Sequence, residues 1–167
     1  MSLSVPHRTR GSIVHDRVIS GQAGLRVKAH RIAAAGILST SVQDTGFNLP
    51  IKGIVTDVLM DVRTAEATGA TKTIEVGLLA SETGGDEDGF LDALDVSATG
   101  VFQGVLLAAG QTRGALMREV EEGTVNVPKN HVMNGTARSL TFTLASNDWV
   151  EFVGILYVAY FDLDGLV

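Results

Sequence analysis

The stretch "SLTFTLASNDWVEFVGILYVAYFDL", residues 139–163, decides the fold. Its first six residues alternate, with Leu140, Phe142 and Leu144 on one side and Ser139, Thr141 and Thr143 on the other. A period of two marks a strand with one face on a core and one toward solvent. Asn147 and Asp148 then turn the chain. From Val150 the pattern changes, because "VEFVGILYVAYF" is apolar on both faces over much of its length. A strand of that kind lies at the centre of a sandwich or beneath another subunit.

The same alternation recurs upstream. In "PIKGIVTDVLMDVRTAEA" (50–67) one face carries Ile54, Thr56, Val58, Met60 and Val62, and the other carries Asp57, Asp61 and Arg63. "ATGAT" (67–71) is a Gly-centred turn, and "KTIEVGLLA" (72–80) alternates again through Ile74, Val76 and Leu78. Their adjacency predicts a hairpin. "IAAAGILSTSV" (32–42) reads as a strand pressed close to another layer, and "SATGVFQGVLLAAG" (97–110) as a short strand pair or a strand and turn. "ALMREVEEG" (115–123) suits one helical turn or a strand edge, and Pro128 breaks "GTVNVPKNHVM" (123–133) as at a strand end. No 3.6-residue period is sustained. The expectation is an all-β fold: an antiparallel β-sandwich, jelly-roll-like, of about eight strands.

At 167 residues the chain is one domain, large enough to bury roughly two thirds of its unfolded surface. Nineteen glycines against three prolines suit strands and tight turns. No apolar run approaches the roughly 20 residues of a membrane span, and residues 1–10 lack the apolar stretch of a signal peptide, so synthesis in a cytosol is expected. The absence of cysteine excludes disulfides, thiol catalysis and thiolate metal sites.

The net charge of −6 is unevenly spread. Residues 1–31 hold Arg8, Arg10, Arg17, Arg26, Lys28 and Arg31 against Asp16, for +5; the rest holds seven basic and eighteen acidic side chains, for −11. This division reads as an extended basic arm (1–31), with a short strand around Ser12–Ile19, on a sandwich domain (32–167). The six cations are the expected partner-binding residues. No Phe, Tyr or Trp lies in the arm to stack on bases, and the acidic body repels phosphate, so no nucleic-acid partner is expected.

The chemistry-bearing candidates are few. "GGDEDGFLDALD" (84–95) holds Asp86, Glu87, Asp88, Asp92 and Asp95. Set on an EF-hand template with Gly89 at position six, it puts glycine at position one and Asp95 at twelve, where Asp and Glu belong. A looser calcium-dependent ligand site through Asp86, Asp88 and Asp92 is the alternative. The preferred reading is a solvent-facing loop that returns Phe90 and Leu91 to the core. His7, His15, His30 and His131 show no HxH or HExxH spacing, there is no G-x-S-x-G, and "GATKT" lacks the upstream glycine and following helix of a phosphate loop. No catalytic residue, metal or cofactor is therefore expected, and no small-molecule substrate.

Residues 49–161 resemble small structural proteins of tailed bacteriophages. The shared elements are a P-x-x-G-x-V-x-D-V strand (Pro50–Val58), a turn (Thr64–Ala67), a T-I-x-V-G strand (Thr73–Gly77), a G-D-x-D-G-F-L-D stretch (Gly85–Asp92) and the closing strand pair. The resemblance implies a non-enzymatic virion protein, a capsid decoration or cement protein. It would be homotrimeric, made in the host cytoplasm, and docked by its arm on the major capsid protein at the capsid surface. A tail, tube or head-fibre subunit is the alternative.

Overall fold

The computed structural model describes residues 24–34, 40–68, 71–106, 112–121, 125–133, 136, 138–145 and 149–163. Among them are eleven strands: β1 (Gly24–Ala33), β2 (Gln43–Asn48), β3 (Gly53–Thr64), β4 (Thr73–Leu78), β5 (Asp86–Asp95), β6 (Gly100–Gln103), β7 (Arg118–Glu121), β8 (Val125–Pro128), β9 (His131–Val132), β10 (Ser139–Leu144) and β11 (Val153–Asp162). A 3₁₀ turn, Ala115–Met117, leads into β7, so "ALMREVEEG" is part turn and part strand.

Pairing defines the architecture. β1 pairs with β11, β2 with β10, β3 with β6 and β4 with β5, all antiparallel. These are the four rungs of one long hairpin whose tip lies between β4 and β5. Rolled up, it sends strands into two sheets, ordered β1-β11-β3-β6 and β2-β10-β4-β5, and that is a jelly roll. β9 adds to the first sheet beside β3, and β7 with β8 forms a separate hairpin. β8 ends on Pro128, as expected.

The core lies between the sheets. Val55, Val58, Met60, Val62, Leu156 and Val158 from the first meet Ile74, Val76, Leu78, Leu140, Phe142 and Leu144 from the second, all buried. β10 puts Leu140, Phe142 and Leu144 on the core as read, but its other face is not solvated, since Ser139 and Thr141 are buried as well; β11 is central in its sheet. Trp149 and Phe152 close one end, with ring centroids 5.4 Å apart.

Four sequence expectations change. β3 and β4 are in different sheets rather than a hairpin, because β11 occupies one side of β3 while β6 and β9 occupy the other. The apolar parity of β3 breaks at a bulge opposite Ala159/Tyr160, so Val55 faces the core and Ile54 faces out. The acidic stretch is strand β5, not a loop, although Phe90 and Leu91 do return to the core. Finally, residues 24–31 are not arm: they form most of β1, hydrogen-bonded to β11 of the same chain. The suggested strand at Ser12–Ile19 lies outside the described residues.

Gly77, the glycine of the T-I-x-V-G motif, sits where the β5 backbone crosses β4. A Cβ there would lie 2.0 Å from the Asp86 carbonyl oxygen and 2.6 Å from the Glu87 carbonyl carbon. Gly46 instead has a φ of +71° and open space around it, with nothing within 4 Å of where a Cβ would stand. In chemical denaturation Gly77→Ala is expected to lose about 3 kcal/mol or more through forced backbone displacement. Gly46→Ala is expected to lose only about 1 kcal/mol, the conformational cost of its left-handed backbone.

Candidate interaction surface

Buried carboxylates are the first place to look for chemistry. Glu66, 1% exposed, follows β3 and aims at the start of the β11 limb. One oxygen accepts the backbone N–H groups of Val150, Glu151 and Phe152 at 3.0, 3.1 and 3.1 Å. The other accepts the Thr68 N–H at 3.0 Å and its hydroxyl at 2.6 Å. Burial, the largest effect, would raise the Glu66 carboxyl, but the Thr68, Phe152 and Glu151 hydrogen bonds together reverse it and bring it down to about 2. Glu82 does the same at the hairpin tip, accepting the Arg138 and Ser139 amides at 2.6 and 2.9 Å and the Ser139 hydroxyl at 3.1 Å. Those Ser139 and Arg138 amides lower its carboxyl. Both groups are saturated by their own backbone, which makes them fastenings rather than acids or bases.

The acids of β4 and β5 gather on the second sheet. Burial first, then Asp88, Asp92 and Glu87, raises Glu75. Burial, followed by the hydrogen bond and charge of Asp88, lifts Asp86 to about 6 against the opposing Asp88 amide. Among the described residues no group of three His, Asp or Glu is arranged to hold a metal ion. A depression of about 240 Å³ between β5 and β6 is lined by Leu94, Asp95, Ser97, Phe102, Gln103 and Thr112, with one acid and no histidine.

Of the six cations read as the grip, Arg8, Arg10 and Arg17 lie outside the described residues. Arg26, Lys28 and Arg31 are on β1, and two are already engaged within the chain: Arg26 pairs with Asp162 at 3.3 Å, and Lys28 Nζ stands 4.8 Å over the Phe47 ring. Both point to the sheet's inner side, as does His30, whose ring centroid lies 6.1 Å from that of Phe142. Burial, then Lys28, lowers the His30 pKa. Arg31 points outward and is exposed.

What the sequence reading missed is the outer face of the first sheet. Strand register sorts it into rows. Leu25, Phe161, Ile54 and Val132 lie side by side across β1, β11, β3 and β9. Ala29, Tyr157, Leu59 and Gln103 make a second row, and Arg31, Ile155, Asp61 and Val101 a third. Leu25 is 60% exposed, Val27 62%, Val101 66% and Val132 55%. Asp61 is held down by Arg63, and Asp57 by the Gln103 amide at 2.6 Å. The clue was present: Leu25, Val27 and Ala29 alternate with Arg26, Lys28 and His30 inside the supposed arm. A broad apolar face with few charges marks an interaction surface.

No family model matches the chain, and no curated protein matches it. Among solved structures, a chain of the cyanophage Pam1 capsid asymmetric unit is similar with a TM-score of 0.52 at 14% identity, covering 97% of this chain and 94% of that one. A chain of the acidic stable capsid structure of Helicobacter pylori bacteriophage KHP30 gives 0.47 at 13% identity, covering 84% and 89%. The Pam1 likeness is one of fold, running almost end to end in both chains.

Two pH effects of opposite sign follow from the carboxylates. Glu66 has a folded pKa of about 2, below its ordinary 4.5, so its contribution is present above pH 4.5 and is lost as pH falls toward 2. That contribution is about 3 kcal/mol. Denaturation measured from pH 6 to pH 2.5 should show this loss in the native protein and a flattened profile in Glu66→Gln; Glu66→Ala should lose about 3 to 5 kcal/mol at pH 7. Asp86 is raised to about 6 from 3.8, so its stabilisation is present below 3.8 and lost as pH rises through 6. Asp86→Asn is expected to raise the melting temperature at pH 7.5 and leave it unchanged at pH 4.

Proposed function

We propose that the chain is a non-enzymatic structural protein of a tailed-phage virion, a decoration protein that docks on the capsid shell through its N-terminal basic segment. The observation that carries this reading is the pairing of a jelly roll with a wide exposed apolar face, while the most deeply buried carboxylate, Glu66, is spent on backbone amides. Such a molecule is built to be covered by another protein. The virion is suggested by two things: the phage-like motifs between Pro50 and Asp92, and the end-to-end fold likeness to a chain of a phage capsid.

The grip is reassigned by the fold. Arg26 and Lys28 are engaged within the sandwich and Arg31 lies on the outer face of β1, which leaves Arg8, Arg10 and Arg17 as the proposed contacts to the major capsid protein. Ion pairs between an exposed cationic segment and an acidic shell surface weaken as salt screens them.

Heads lacking this protein, mixed with the purified chain, should be coated saturably, with coating reduced at high salt and visible by microscopy or co-sedimentation. The informative truncation begins at Gly24, which keeps β1; cutting at residue 31 would strip an edge strand from the sheet. Loss of coating with an unchanged melting temperature is expected. Undiminished coating by the truncated chain would overturn docking through the N-terminal segment.

A further inference from the structure

We propose that the outer face of the β1-β11-β3 sheet is where a second copy of this chain docks, face to face, about a two-fold axis running along β11. The inference rests on the reading of the chain as an assembly subunit, and names the partner of the apolar face.

Size comes first. β1 and β11 are each ten residues long and lie in a sheet four strands wide. At about 3.3 Å per residue and about 4.8 Å per strand, the footprint is roughly 600 Å² per copy before side-chain relief is counted. A stable pair buries about 800 Å² per partner, so the face is of the right order.

The row pattern then selects the symmetry. A two-fold along β11 keeps each row level with itself and swaps β1 with β3. Arg31, exposed and with no ion pair among the described residues, then stands over the partner's Asp61, a largely buried carboxylate that Arg63 of its own chain already engages and that Arg31 would reach as a second cation. Ala29 stands over the partner's Leu59, a small residue against a large one, and Leu25 over the partner's Ile54. Tyr157 and Ala159 lie on the axis and meet their own copies. Val27 stands over the partner's Asp57, whose carboxylate already accepts the Gln103 amide at 2.6 Å. A two-fold across the strands instead reverses the rows and sets Arg31, which has no such partner among the described residues, over the partner's Val27. The self-matching of one face is isologous, which favours pairs over the trimer implied by the sequence resemblance.

Sedimentation of the full chain at micromolar concentration is expected to give twice the 17.6 kDa chain mass. Val27→Asp, at a 62%-exposed position, should produce a monomer with unchanged melting temperature. Arg31→Glu should weaken the pair at least tenfold, and Arg31→Glu with Asp61→Lys should recover it. Because the chain has no cysteine, Ala159→Cys on the axis should be joined to its copy by a bismaleimide spanning about 10 Å, the separation of packed sheets. Val101→Cys, at the far edge of the sheet, should not be joined. A folded monomer at these concentrations, or a dimer indifferent to Val27→Asp, overturns the inference. The outcome also separates the two readings: a monomer that coats heads unless Val27 is charged assigns the face to the shell and leaves the proposed function standing. A dimer that never coats heads does the reverse.

Discussion

The two-sheet arrangement depends on a carboxylate at a corner. A rolled hairpin must carry its chain from sheet to sheet, and crossing segments cannot satisfy their backbone groups in either ladder. At one end two crossings meet, the one after β3 and the one before β11. Glu66 takes three successive amides of the second crossing with one oxygen and anchors Thr68 of the first with the other. The Trp149 indole donates to the Thr71 carbonyl and the Ala145 amide to the Thr73 carbonyl, sewing the same two segments together. An ionised carboxylate suits the place because it only accepts; an amide would bring two donors to a site that already has donors. Glu82 repeats the device at the opposite end of the β4-β10 pair. With both ends of that pair pinned, the second sheet is held in register against the first.

Much of this was legible where the local pattern and the tertiary environment agree. In β10 the apolar residues Leu140, Phe142 and Leu144 face the core as their spacing says, although the burial of Ser139 and Thr141 on the other face left no local sign. β11 is flanked on both sides, and its residues are apolar on both faces. Phe90 and Leu91 were read as core residues because they interrupt an acidic run.

Where long-range pairing overrides local pattern, the sequence misled. Adjacent strands with a glycine turn between them normally pair, yet β3 has both edges filled by strands from the far half of the chain. The bulge that swaps Ile54 for Val55 is enforced by register with β11 and leaves no mark in the alternation. β2 carries no apolar stripe and holds its place through Phe47, which packs on Tyr160, and through Thr45, whose hydroxyl donates to the Leu140 carbonyl at 2.8 Å. Glu66 looked like one more surface acid, since nothing local says that three amides some 85 positions away converge on it. The candidate surface was hidden differently: in β1 the charged residues were noticed and the apolar residues between them were not.

β1 also explains why association would proceed through a face rather than an edge. Among the described residues it is the outermost strand of its sheet, ten residues long, and such an edge invites another strand to join. Here the alternation is inverted relative to an ordinary edge. Arg26, Lys28 and His30 point inward, over the open end of the sandwich, while Leu25, Val27 and Ala29 point out. A second β1 added alongside would bring a matching row of cations against the first, and like charges opposed across strands are destabilising. The inward cations thus blunt sheet extension, and they are kept in place by Asp162 and Phe47. The outward apolar residues are not blunted at all. The same ten residues close the route by which sheets grow into fibres and leave open the one by which two sheets stack.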